Sequence, residues 1–397
     1  MHKSLTLILA LLISTPIIAQ INHSHSHQVA LGGGQEWNAF LRPSTFSQDG
    51  EFLNKEELWD HGTFQSLSFN NSFRWEKDQH RFKLKLNGSL GIFQTEENAN
   101  RHSYTIGGSY RVKYAPKKYF EFSPEYLRKK REGINGDQAI LATPFSFQQF
   151  RAPVSFDFYL GEGAWVKTEV GYLIKSYDRP DEQVLRYQAP FLGVALSKKW
   201  TIGEHTTKLT LHSVSQRRNY TDIDRITEQI DPEDEEDDFL EEDEEFEEED
   251  EFRESERNWS YYFNNLTYSL KTADKKVRAE IGIYSTLRKD ARNVSDYLEI
   301  GPGINATLKT GKWELSPSVR YSIRKYSRLA PGNGNNLLLQ YKYLRVRFKS
   351  NYRLTNNVSF FGRYILTNRD SNNPTRDSNA FREYFYAQGE LGVRWKL

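Results

Sequence analysis

The sequence predicts an all-β chain, an antiparallel up-and-down transmembrane barrel of about sixteen strands. Three observations carry this expectation. Apolar and polar residues alternate with period 2 in one segment after another, while helical period is almost absent. The segments run about 10–17 residues, beyond the ~5–6 usual in soluble sheets. The links between them alternate between short and long, as tight turns at one end of a membrane barrel and longer loops at the other require.

From the start of the chain, residues 1–19 read as a secretory signal: His2 and Lys3 are basic, Leu5–Leu12 with Ile13, Ile17 and Ile18 are apolar, and Ala19 is small. Residues 20–27 follow as a polar tail with His23, His25 and His27 in alternation. After Ala19 no run approaches the ~18 apolar residues of a membrane helix, and the mean hydropathy of -0.74 excludes a helical membrane protein. The absence of cysteine removes disulfides, thiol catalysis and cysteine-based metal sites.

The barrel is expected over 28–397, with strands near 28–42, 62–75, 81–93, 103–115, 118–128, 147–160, 164–177, 184–200, 205–218, 258–271, 277–289, 296–309, 312–326, 337–353, 357–369 and 381–397. Within 81–92, Phe82, Leu84, Leu86, Leu90 and Ile92 oppose Arg81, Lys83, Lys85, Asn87 and Ser89. In 343–354, Leu344, Val346, Phe348 and Tyr352 oppose Arg345, Arg347, Lys349, Asn351 and Arg353. Short links fall at Glu76–His80, Ala115–Lys117, Gly161–Gly163, Thr201–Glu204, Thr272–Lys276, Thr310–Gly311 and Asn356. Gly32–Gly34 interrupt the first strand, so fourteen strands with a longer tail is the alternative. An even count leaves both termini at the end with the short turns.

The last eight residues, Glu390 to Leu397, place Glu390, Gly392, Trp395 and Leu397 at the polar, glycine, aromatic and terminal hydrophobic positions of a short pattern. The pattern resembles the C-terminal β-signal that the barrel-insertion machinery reads in bacterial outer-membrane β-barrels. Leu397 departs from the phenylalanine usual there. The resemblance implies a bacterial outer membrane, a periplasmic side for both termini, and outer-membrane lipids and the insertion machinery as partners.

Charge is strongly segregated. Residues 228–256 hold 20 of the 53 acidic residues and a single basic one, Arg253, which leaves 53 basic against 33 acidic groups elsewhere. With Ile230, Phe239, Leu240, Phe246 and Phe252 as its sizeable hydrophobes, that segment cannot offset its ordering entropy, and 219–257 reads as a long, disordered external loop. A solvated brush, a gate folding into a basic lumen and a divalent-cation trap are three uses for it.

Much of the basic excess lies on the polar faces of strands, at Arg81, Lys83, Lys85, Arg278, Arg320, Arg324, Arg345, Arg347, Lys349, Arg353 and Arg394. If the apolar face meets lipid, these residues line the lumen, and a cationic lining favours passing anions. Pairing with carboxylates such as Glu280 and Glu314 is the plainer alternative. The expected function is therefore a pore for small polar or anionic solutes. The second reading is a non-conducting barrel that binds a partner through external loops in adhesion, surface assembly or secretion.

Other chemistry is thin. His23, His25 and His27 form the one weak metal candidate; no cofactor is expected, and the scattered basic residues give no nucleic-acid footprint. His212 with Ser213 and Ser215 is the nearest approach to a hydrolase, and alternation puts both serines on the face opposite His212. An enzyme is not expected, and the oligomeric state is not encoded in a readable way.

Overall fold

The computed structural model describes residues 22–38, 45–48, 51–54, 61–94, 99–131, 134–135, 143–144, 146–178, 186–221, 258–291, 296–328, 338–372 and 383–397. Its barrel strands are β1 (Asn22–Trp37), β2 (His61–Lys77), β3 (His80–Phe93), β4 (Arg101–Ala115), β5 (Lys118–Phe122 continued as Glu125–Arg131), β6 (Phe147–Gly161), β7 (Ala164–Tyr177) and β8 (Arg186–Ile202). They continue as β9 (His205–Thr221), β10 (Asn258–Lys271), β11 (Val277–Asp290), β12 (Tyr297–Thr310), β13 (Trp313–Tyr326), β14 (Gln340–Arg353), β15 (Val358–Ser371) and β16 (Tyr384–Lys396). Each strand pairs antiparallel with its chain neighbours, and β1 closes the sheet on β16 from Gln28 opposite Lys396 to Trp37 opposite Ala387. The result is a closed sixteen-stranded antiparallel barrel, the fold the alternation predicts.

Closure is a solvation requirement: a strand edge left open to hydrocarbon strands its N–H and C=O groups at several kcal/mol each. The seven links at one end are tight. Asp78, Lys117, Glu162, Gly203, Lys275 and Gly311 take up the positive φ that such turns need. In the 272–276 turn, hydrogen bonds from Thr272 and the Lys276 amide hold the Asp274 carboxyl down at about 2.

Most strands lie within about three residues of their predicted bounds, and two elements differ more. β1 starts at Asn22, so His23, His25 and His27 are strand and not tail; β2 runs past the end of β16 and supplies them with a backbone partner, His23 opposite Trp75 and His27 opposite Asn71. Gly32–Gly34 do not break β1 because it is paired on both sides there. Asn38, with a φ of 54°, follows the strand's last residue, Trp37, and residues 39–42 of the expected strand lie outside the described residues. β5 is interrupted at Ser123–Pro124, where proline lacks a donor; the Gly108 amide still donates to the Pro124 carbonyl. The predicted signal 1–19 lies outside the described residues, as does 222–257 of the acidic loop.

The core is inverted relative to a soluble protein. Cross-strand partners share a face, and one face is a continuous apolar surface with Leu31, Leu67, Ile92, Val170, Leu192, Ile281, Ile304 and Leu344 between 37% and 56% exposed. Near the turns the same face carries aromatic rings, with Trp313 against Tyr352 at 4.8 Å and Trp200 against Tyr268 at 6.1 Å. This is the apolar band with an aromatic girdle that a bilayer demands. The opposite face points inward.

At the β16–β1–β2 seam the glycines have a use. Gly32 and Gly34 face inward, so the Ser66 hydroxyl of β2 reaches across β1 to donate to Glu390 Oε1 of β16 at 2.6 Å. A Cβ on Gly34 would stand 1.9 Å from the Gly389 carbonyl oxygen, whereas one on Gly389 would meet nothing within 4 Å. Gly34→Ala is therefore expected to lower stability by about 1–3 kcal/mol through overpacking and to weaken barrel closure, while Gly389→Ala stays near wild type. Heat-modifiable gel mobility and urea unfolding midpoints check this; equal behaviour of the two variants would contradict it.

Candidate functional site

The candidate site is the inward face. Arg81, Lys83 and Lys85 on β3, Arg278 on β11, Arg320 and Arg324 on β13, Arg345, Arg347, Lys349 and Arg353 on β14, and Arg394 on β16 all alternate with the exposed apolar residues. Register brings two groups together. Arg320 stands directly opposite Arg345, Ser318 opposite Arg347, and Ser316 opposite Lys349. Arg81, Lys83 and Lys85 line a cavity of about 360 Å³ with Arg74, Ser109 and Glu121.

The eleven residues do not share one environment. Arg324 is buried and donates to Glu299 Oε2 from Nε at 3.1 Å and Nη2 at 2.9 Å, between the rings of Tyr297 and Tyr343. Ser322 donates to the other Glu299 oxygen at 2.8 Å, and Arg345 approaches that oxygen at 3.9 Å. Arg320 lies over Tyr284 at 4.5 Å. Arg394 donates to Asn351 at 3.3 Å beside Phe361. For Arg81, Lys83, Lys85, Arg278, Arg347, Lys349 and Arg353, no carboxylate lies within 4.0 Å among the described residues.

The carboxylates named as neutralising partners are engaged elsewhere. Glu280 accepts from Asn305, and Glu314 pairs with Lys309 near a turn. Among the described residues the carboxylates that do neutralise inward arginines include Glu299, Glu36 and Glu390, together with Asp157 and Glu121 at Arg111 and Glu169 at Arg151. Glu36 is fully buried and takes Arg101 at 2.7 Å and Arg131 at 3.1 Å, while Glu390 takes Arg363 as well as Ser66.

Toward the loop end the inward wall becomes a belt of guanidinium groups over aromatic rings. Arg218 covers Tyr261 at 4.0 Å and Tyr187 at 5.0 Å, Arg288 covers Trp259 and Tyr297 at 4.5 Å each, and Arg369 covers Tyr341 at 4.1 Å. Tyr220, Trp259, Tyr326 and Tyr343 there are almost fully buried. Sequence reasoning missed this belt, although arginine and tyrosine two positions apart in Arg218–Tyr220 and Tyr343–Arg345 signal it at strand period.

A second cavity, of about 320 Å³, lies against the seam, lined by Ser66, Ser68, Lys349, Asn351, Glu390 and Arg394. It joins one β-signal residue to the inward face. Gly392 packs against the Leu31 carbonyl, Trp395 lies opposite Val29 and Val358, and the Leu397 amide donates to the His27 carbonyl at 2.9 Å.

The remaining candidates separate. His23, His25 and His27 form a column on the outward face, with ring centroids 5.4 and 5.2 Å apart and Trp75 5.6 Å from His23. Among the described residues no three histidine or carboxylate side chains converge to hold a metal ion. His212 faces inward opposite Ala195 and Asn265, while Ser213 faces outward and donates to Asn264 at 2.7 Å.

A closed barrel with an apolar outside and a charged inside defines a porin-like outer-membrane β-barrel. No protein-family model matches the chain, and no curated protein matches its sequence. Solved structures match along nearly all of it. Against OccK8 (OprE) of Pseudomonas aeruginosa the TM-score is 0.47 at 8% identity, covering 94% of this chain and 98% of that one. The outer-membrane channel DcaP of Acinetobacter baumannii gives 0.45 at 10% identity over 96% and 98%. OmpT, an outer membrane protein of Vibrio cholerae, gives 0.44 at 10% identity over 96% and 100%.

The buried Glu299–Arg324 pair predicts its own test. Removing one charge from a buried pair costs about 3–5 kcal/mol, whereas exposed pairs are worth about 0–1. Glu299→Gln is expected to lower the unfolding midpoint in urea markedly and Glu314→Gln hardly at all. Equal midpoints for the two variants would contradict the assignment.

Proposed function

We propose that the barrel is an outer-membrane pore whose cationic wall passes small polar or anionic solutes, with both termini periplasmic. The observation that carries this reading is the column Arg345, Arg347, Lys349 and Arg353 at alternate positions of β14. Arg347 and Lys349 are exposed on the inward face without a carboxylate at ion-pair distance among the described residues. An anion 4 Å from one such cation gains about 1 kcal/mol in bulk water and about 4 at an effective dielectric constant of ~20. The column, the facing Arg320 and the Arg81–Lys85 group then lower the entry cost of an anion and raise that of a cation.

The acidic segment 228–256 is the natural counter-charge to this wall, and in the proposed pore it acts as an electrostatic gate. The second reading, a non-conducting barrel that binds a partner through its external loops, draws support from the buried arginine–aromatic belt, which thickens the wall at the loop end.

Planar-bilayer recordings separate the two. The wild-type barrel is expected to conduct with anion preference, and Arg345→Gln, Arg347→Gln and Lys349→Gln combined to shift the reversal potential toward that of a non-selective pore. Deleting 231–252 is expected to raise conductance and flatten its dependence on salt. Absence of current, or cation preference in the wild type, would overturn the pore; unchanged conductance on deletion would remove the gate alone.

A further inference from the structure

The outward face is apolar through most of its height, yet its loop end is basic over one sector. On β9, β11, β13 and β14, Arg217, Lys289, Lys325 and Lys342 are exposed and share the face of the lipid-facing residues. Lys325 stands opposite Leu298 and Lys342 opposite Ile323, beside the exposed Leu298 and Ile300. These cations therefore lie at the lipid edge and not on loops above it. The turn end of β9 to β14 presents Leu209, Tyr268, Val277, Leu308, Trp313 and Tyr352 on the same face.

The two rims thus face different surroundings. A basic residue on the lipid face is costly at the bilayer midplane and costs about 0–1 kcal/mol at the interface. It becomes favourable where lipid headgroups are anionic. Aromatic rings at the turn end fit a leaflet of ordinary interfacial polarity.

The carboxylates nearby leave charge over. Lys289 is bound by Asp296 at 2.7 Å. Asp370 stands opposite Lys342, but its carboxylate accepts from Asn368 at 2.7 Å and makes no ion pair with Lys342. Lys325 stands opposite Gln340, and Arg217 opposite Ser260, both neutral hydrogen-bonding groups. Lys325 and Lys342 are diagonal neighbours on adjacent strands, about 7 Å apart by sheet geometry, a gap that one phosphate group bridges.

We propose that Lys325 and Lys342 form a docking surface for a phosphorylated lipid of the outer leaflet. Its phosphate sits between the two lysines, and its acyl chains lie down the Leu298, Ile300 and Leu344 surface. The apolar surface directly below the cations is what selects a lipid over free phosphate. The inference needs only the outward face and not a conducting lumen.

The test uses the full-length purified barrel in detergent, with native mass spectrometry of adducts formed with bisphosphorylated lipid A, the same lipid stripped of phosphate, and inorganic phosphate. Each surface cation contributes about fivefold to the affinity for an anionic headgroup. Lys325→Gln with Lys342→Gln is expected to weaken the lipid A adduct roughly 30-fold. Removing the phosphates is expected to weaken the wild-type adduct similarly, and inorganic phosphate alone to give none. The control pair Lys118→Gln with Lys198→Gln, outward-facing near the turns, is expected to bind as the wild type does; heat-modifiable mobility confirms folding of every variant. Undiminished binding by the first pair, equal binding of the dephosphorylated lipid, a stable adduct with phosphate alone, or an equal loss in the control pair would each overturn the proposal.

Discussion

The structure depends on one constraint: every backbone N–H and C=O that meets hydrocarbon must be bonded within the protein. Sixteen antiparallel strands meet it only when the first is paired to the last. β1 does this along Gln28–Trp37 against β16. Closure then sets the faces, because side chains along a paired strand alternate strictly between the two sides. The lipid surface, the charged interior and the seam are consequences of that alternation.

Closure also explains why the interior is polar yet not loosely solvated throughout. Charges are costly where water is scarce unless partners satisfy them. Near the loop end the wall meets this demand with Glu36, Glu299 and aromatic faces under Arg218, Arg288 and Arg369. Further toward the turns, Arg347, Lys349 and Arg353 have no such partners among the described residues. One face of the same sheet therefore contains both a consolidated upper wall and an accessible cationic strip, and the functional proposal rests on the contrast between them.

How much was legible in the sequence follows from range. The strand at 164–177 and that at 258–271 are seen at their predicted bounds, because alternation is local and strong there. Which residues share a face of a strand was legible for the same reason. The start of β1 was not: an alternating His–Ser run followed by three glycines reads as a tail, and only pairing with β2 makes it a strand. Partnerships were hidden as well. Arg320 and Arg324 are four residues apart on one face, yet only Arg324 is locked to Glu299, and the Ser66–Glu390 contact spans 324 residues of sequence. Such contacts depend on register between distant strands, which no local pattern encodes.

The central claim is the assignment of faces, and the chain has no native cysteine to confuse a labelling experiment. Single cysteines placed in lipid-reconstituted barrels at Ile281 and Ile304 on the outward face, and at Ser318 and Arg347 on the inward face, would be exposed to a membrane-impermeant, water-soluble thiol reagent. The account predicts rapid modification at Ser318 and Arg347 and protection at Ile281 and Ile304. Reaction at the two isoleucine positions, with protection of the inward pair, would contradict it.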